Sequence, residues 1–156
     1  MTEAARTHSI TIRRLISANQ ECVFNAFRDP KLLSQWFTPH ADISVEVLAF
    51  DFSPQGAFRL RYTMPDGTYP IIGGAYEIIE KPHLIVFSWV WEEPDIHANI
   101  PTRVTVQLVK KNDHTEVVIN HQQLPSQDAC SRYEKGWEGM LGQLQNMTEI
   151  NNEKPA

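Results

Sequence analysis

The chain has 156 residues, a hydrophobic content of 42% and a formal net charge of −5 at pH 7. These values fit one soluble globular domain with a buried core, and the acidic balance argues against nucleic-acid binding. The sequence has no apolar run of about 18 residues to span a membrane and no signal-peptide pattern. Cys22 and Cys130 lack zinc-type spacing, so we expect free thiols in the reducing cytoplasm.

The first forty residues predict a strand followed by two short helices. Residues 8–16 include the β-branched Ile10, Thr11, Ile12 and Ile16, which is typical of a strand. Asn19 can cap a helix that ends before Pro30. Pro30 can then begin a second helix that extends to residue 37.

From residue 41 the hydrophobic period changes to two, which indicates half-buried strands. Turn signals such as Pro65-Asp66-Gly67 separate the segments, and Gly73-Gly74 indicates a bulge or a sharp bend inside one of them. Because tight turns join sequential strands, we predict an antiparallel sheet. The predicted strands cover residues 43–47, 58–62, 69–79, 84–91, 103–109 and 115–121.

The stretch 126–150 predicts a long amphipathic helix, capped by Ser126. Its glycines, Gly136, Gly139 and Gly142, each cost about 1 kcal/mol relative to alanine. We therefore expect a compensating close backbone approach or a bulky group beside Trp137. The apolar stripe consists of Ala129, Cys130, Tyr133, Trp137, Met140, Leu141, Leu144 and Met147.

Together these elements predict an α+β fold: a curved antiparallel sheet of six to seven strands wraps around a long C-terminal helix, and two short helices follow strand 1. We expect one domain over residues 8–150, flanked by flexible residues 1–7 and 151–156. A bent sheet that grips a helix encloses space, which is a natural site for a ligand.

The segment 10–39 resembles the start of the activator of heat shock protein 90 ATPase homologue family. This family lies within the helix-grip superfamily of START, Bet v-like and polyketide cyclase proteins (SRPBCC). The resemblance extends over residues 8–150, although Asn19 replaces a usual proline and Gln55-Gly56-Ala57 replaces a paired glycine. The residues that carry it include Arg13, Ile16, Ala18, Val23, Phe24, Ala26, Asp29, Pro30, Trp36, Phe37, Pro39, Gly74, Tyr76, Pro82, Leu84, Phe87, Trp89, Gly136, Trp137, Leu141 and Leu144.

The resemblance implies a helix-grip fold and three alternative functions. The first is a non-catalytic module, in the manner of stress-response or co-chaperone-like proteins, that binds a small hydrophobic molecule. The second is an enzyme of the cyclase or aromatase kind, in which His121, Tyr62 and Tyr76 transfer protons. The third, a heat shock protein 90 ATPase activator, is expected least, because the eukaryotic co-chaperones carry an N-terminal domain without a counterpart here.

The candidate cavity residues are mainly aromatic side chains that can bury a flat or long apolar ligand. His121 is either a polar anchor in the cavity or a hydrogen-bonded core histidine. We predict no metal, cofactor or catalytic residue, and either a monomer or a homodimer. The predicted cavity set is Trp36, Phe37, Tyr62, Tyr76, Phe87, Trp89, Trp91, His121, Tyr133, Trp137, Met140 and Leu141.

Two further groups of polar residues have open roles. The loop 92–97 contains three carboxylates and His97, and it either binds a hard cation, guards the cavity mouth or is simply solvated. Arg59 and Arg61 alternate with apolar residues, which favours the wet face of a strand over an anion site.

Overall fold

A computed structural model describes residues 8–153, with side chains as far as residue 148. The prediction of flexible ends falls largely outside these residues, and residues 151–153 continue the last helix. The elements are β1 (His8–Ile16), α1 (Gln20–Arg28), α2 (Pro30–Trp36), β2 (Ser44–Phe50), β3 (Ala57–Thr63), β4 (Ile71–Glu80), β5 (Leu84–Trp91), β6 (Thr102–Lys111), β7 (His114–Leu124) and α3 (Gln127–Glu153).

The strands form one seven-stranded sheet in the order β1-β7-β6-β5-β4-β3-β2. Every neighbouring pair is antiparallel. Only β1 is out of sequence order, because α1 and α2 carry the chain from one edge of the sheet to the other. The predicted α+β helix-grip fold, with two short helices after strand 1 and a long C-terminal helix, is confirmed.

Helices α1 and α3 begin at the predicted caps Asn19 and Ser126, and Asp29 caps α2. The Asn19 side chain accepts a hydrogen bond from the Cys22 amide at 2.8 Å, and Asp29 accepts one from the Lys31 amide at 2.9 Å. Ser126 accepts one from the Ala129 amide at 3.1 Å. These side chains satisfy amide groups that have no partner within the helix.

Helix α3 lies on the concave face of the sheet with its apolar stripe buried. Tyr133, Trp137 and Leu144 are buried in the main hydrophobic core. At the far edge, Arg14 Nε donates to Gln145 Oε1 at 2.7 Å, which ties α3 to β1. Gly139 allows the helix to approach the backbone at Pro39, because a Cβ there would overlap the Pro39 carbonyl oxygen.

The irregularity in β4 lies two residues beyond the predicted position. Its register against β5 shifts between Tyr76 and Ile78, rather than at Gly73-Gly74. Gly74 is instead required by close packing, since a Cβ would overlap the Ser88 carbonyl oxygen on the neighbouring strand. The glycine therefore marks a close backbone approach, which sequence alone does not distinguish from a bulge.

Candidate functional site

A cavity of about 280 Å³ lies between α3 and the strands β3 and β5. It reaches the surface beside His40 and Lys135, which are exposed. Its interior is apolar and largely aromatic, as in many small-molecule sites. The lining residues are Pro39, His40, Ile43, Tyr62, Met64, Pro70, Trp89, Trp91, Arg132, Tyr133, Lys135, Gly136, Trp137 and Met140.

Half of the predicted cavity set lies in this wall. Strands β3 and β5 contribute one side and α3 the other, because alternation on the strands and steps of three and four on the helix turn these side chains toward each other. The predicted residues found in the wall are Tyr62, Trp89, Trp91, Tyr133, Trp137 and Met140.

The other half lies away from this cavity. Trp36 is fully buried, and its Nε1 donates to the Ala26 carbonyl at 2.9 Å. Phe37, Tyr76 and Phe87 surround a separate void of about 10 Å³, too small for an organic ligand. Leu141 and His121 are buried outside the lining of both spaces.

His121 lies behind the cavity wall, and both of its ring nitrogens are engaged. Thr102 Oγ1 donates to the Trp89 carbonyl at 2.8 Å, so its lone pair accepts from His121 Nε2–H at 2.7 Å. His121 Nδ1 accepts from Trp137 Nε1–H at 3.1 Å. Burial lowers the pKa of His121 to about 3. The imidazole is therefore neutral at physiological pH and orients Trp137, a wall residue.

The polar groups of the wall are few, and some of them have no hydrogen-bond partner among the described residues. Tyr62 Oη donates to the Phe37 carbonyl at 3.0 Å, and burial raises its pKa. Burial also raises the pKa of Tyr133 to about 12. Trp89 Nε1 and Trp91 Nε1 are both buried without a hydrogen-bond partner within the described part of the chain. Such an orphaned donor costs about 1–3 kcal/mol.

A cluster of Arg132, Asp95 and His97 joins α3 to the β5–β6 loop at one side of the cavity. Arg132 binds both carboxylate oxygens of Asp95, at 2.7 and 2.8 Å, and its guanidinium lies 4.7 Å from the centre of the Trp91 ring. Partial burial is the largest single influence on Asp95 and opposes its ionisation. The hydrogen bonds from Arg132 and the His97 amide, together with the charge of Arg132, outweigh it and lower the pKa of Asp95. Burial, followed by the Arg132 charge, lowers the pKa of His97, so its neutral Nδ1 can accept from Arg132 at 2.7 Å.

Asp95 and His97 of the loop 92–97, whose role the sequence did not settle, therefore bind Arg132. Glu92 pairs with Arg59 on the outer face of the sheet, and Arg61 pairs there with Glu46. Both arginines therefore lie on the wet face, as expected. Among residues 8–153, no cluster of histidine, cysteine, aspartate or glutamate side chains is arranged to hold a metal ion.

Several lining residues were not predicted. For two of them, the helical spacing on α3 could have indicated that they face the cavity. Arg132 and Gly136 precede Met140 by eight and four residues, so they share its helical face. The other unpredicted residues lie largely in loops, where no periodicity indicates which way a side chain points. They are Pro39, His40, Ile43, Met64, Pro70 and Lys135.

The family model described as "Activator of Hsp90 ATPase homolog 1-like protein" matches residues 17–149. The chain belongs to this family. The predicted membership, within the SRPBCC superfamily, is confirmed. No curated protein matches the chain significantly.

Solved structures of similar proteins share the fold of this family member. A protein from Chromobacterium violaceum has a TM-score of 0.81 at 24% identity, covering 89% of our chain and 95% of its own. The AHSA1 protein from Silicibacter pomeroyi has a TM-score of 0.82 at 19% identity, covering 92% and 99%. DynU16, from the dynemicin biosynthetic locus, has a TM-score of 0.73 at 16% identity, covering 92% and 48%.

Within residues 8–153, no helix has the length and apolar character that a membrane crossing requires.

Proposed function

We propose that this family member is a non-catalytic binding module that holds a small hydrophobic molecule between the sheet and α3. The main support for this proposal is the aromatic-walled cavity of about 280 Å³ beside an otherwise well-filled core. Interiors normally pack at crystal-like density with few voids larger than a water molecule. An apolar hollow that opens to the surface therefore favours an exchangeable apolar occupant.

The environment of His121 favours binding over proton transfer. A cyclase-like enzyme requires an acid or base within hydrogen-bond reach of its substrate. His121 is separated from the cavity by the side chains that line it, and Thr102 and Trp137 occupy both of its nitrogens. Its hydrogen bonds position the Trp137 indole, which suits a rigid binding wall.

The remaining alternatives are outcomes to be tested. The likeness to DynU16 supports a shared fold alone. Stimulation of a heat shock protein 90 ATPase follows only from the family description. We propose a cytoplasmic location, since Cys22 and Cys130 are free thiols, and leave the choice of monomer or homodimer to a sizing experiment.

Binding of a neutral two-ring compound tests the proposal. We expect 2-naphthalenemethanol to bind saturably, to quench the fluorescence of the tryptophans in the wall and to raise the melting temperature, because a ligand of the native state raises apparent stability. The cavity-filling variant Met140→Trp should lose this binding.

The matched control is Met147→Trp, on the same helix but outside the cavity lining. It should bind as the wild type does. If the wild type shows no saturable binding of a panel of neutral apolar compounds, or if both variants bind equally well, the proposed function is wrong. Added protein should also leave the turnover of a purified heat shock protein 90 ATPase unchanged; stimulation would favour the chaperone alternative.

A further inference from the structure

The charged groups that line the cavity are of one sign. Within residues 8–153, the charged residues that line it are Arg132 and Lys135, and no carboxylate lines it. The chain as a whole has 19 acidic residues against 14 lysines and arginines. A basic rim on an acidic protein is a local feature that overall composition does not explain, and it indicates the sign of the occupant.

Lys135 supplies the unneutralised charge of this rim. Arg132 is paired with Asp95, so its charge is largely compensated. Lys135 is exposed and forms no ion pair with any residue that the structure describes. Its helix neighbours Glu134 and Glu138 are also exposed and lie outside the cavity lining. A ligand anion at the mouth can therefore interact with Lys135.

Gly136 leaves a gap in the part of the cavity wall that α3 forms. A Cβ built at this glycine would meet no atom within 4 Å, so close packing does not require a glycine here. Gly139, one turn further, has that reason at Pro39. Glycine in a helix interior is unfavourable, yet Gly136 lies in the lining between Arg132 and Met140. Its absent side chain leaves room for a ligand.

Three indoles form an aromatic enclosure around this opening. Trp89 and Trp91 lie on the strand side and Trp137 on the helix side, with ring centres of Trp89 and Trp137 5.6 Å apart. Aromatic walls favour planar partners through stacked and edge-to-face contacts. The cavity volume of about 280 Å³ lies just below the roughly 300–1,000 Å³ of typical ligand sites, which indicates a small occupant.

We propose that the cavity selects a small planar aromatic molecule with one carboxylate, its ring over Gly136 and its carboxylate at Lys135. The inference rests on the proposed function and deepens it by naming the ligand class.

Calorimetric binding measurements with three compounds of similar shape but different charge test whether the cavity prefers an anionic ligand. At neutral pH and low salt, 2-naphthoate should bind more tightly than 2-naphthalenemethanol, and 2-naphthylmethylammonium most weakly. Lys135→Gln should weaken 2-naphthoate binding by up to about fivefold, the size of an exposed ion pair. The same variant should change alcohol binding less than about twofold.

A pair of glycine variants tests the opening. Gly136→Leu should abolish binding of both naphthoate and alcohol. Gly142→Leu is the control, since a Cβ there makes ordinary contact with Arg14 and Gly142 is outside the lining. Circular dichroism should show both variants folded.

The outcomes separate this inference from the proposed function. Equal binding of naphthoate and alcohol would overturn the anionic class and leave the binding function standing. Normal binding by Gly136→Leu would overturn the placement of the ring. Failure of all three compounds would remove both proposals.

Discussion

The sheet is covered differently at its two ends, although both ends are rich in aromatic residues. Where α1 and α2 cover it, Phe27, Leu33 and Phe37 meet Phe58 and Phe87 and leave only about 10 Å³ empty. Where α3 covers it, about 280 Å³ remains. The short helices direct Phe27 and Leu33 onto the strands, whereas α3 has Gly136 among the larger Tyr133, Trp137 and Met140. The size of the covering side chains, rather than aromatic content, distinguishes a core from a cavity.

The largest effect should come from the filled end. Trp36 is fully buried and packs edge-to-face on Phe27, with ring centres 4.8 Å apart. Trp36→Ala should lower the free energy of unfolding by about 3–5 kcal/mol. Met140→Ala, at the existing cavity, should cost no more than about 2 kcal/mol, the low end for such truncations. Urea denaturation measures both, and equal losses would mean that the two ends are packed alike.

An intermediate effect should distinguish two glycines of α3. Gly139→Ala should lower the unfolding free energy by up to about 2 kcal/mol, because the clash with Pro39 outweighs the gain in helix propensity. Gly136→Ala should raise it by as much as about 1 kcal/mol, since its Cβ enters open space. Denaturant midpoints give both values. A destabilised Gly136→Ala would show that the opening is already occupied by protein atoms.

The smallest effect should be on the pH dependence of stability, through His121, which is buried behind the cavity wall. Its folded pKa of about 3 lies below the unfolded value of about 6.5, so between these values the unfolded state binds the extra proton. Stability should therefore fall as pH drops below about 6.5, by at most about 1.4 kcal/mol per pH unit from this residue.

The control for this prediction is His121→Gln, which should lose that part of the slope. His97 also has a lowered pKa, so the difference between wild type and variant, measured by denaturation from pH 7 to 5, isolates His121. An unchanged slope would mean that water from the cavity reaches the imidazole.

Local chemistry made much of the fold predictable. Asn19 and Ser126 cap their helices where sequence placed them, because a cap depends on hydrogen bonds within a few residues. The strands followed from alternation, since a strand with one wet face needs it. The resemblance of residues 8–150 to a known family predicted the family to which the chain belongs.

The sequence by itself determined the order of the elements and which side chains face inward, because period and capping are local properties. Only the tertiary structure decided which inward side chains border empty space. Tyr76 and Phe87 face inward as Tyr62 and Trp89 do. The first two border the void of about 10 Å³ that Phe27 and Leu33 also line, whereas the last two border the cavity of about 280 Å³. A void depends on the volumes of side chains from distant segments that meet in space, and no local pattern records that sum.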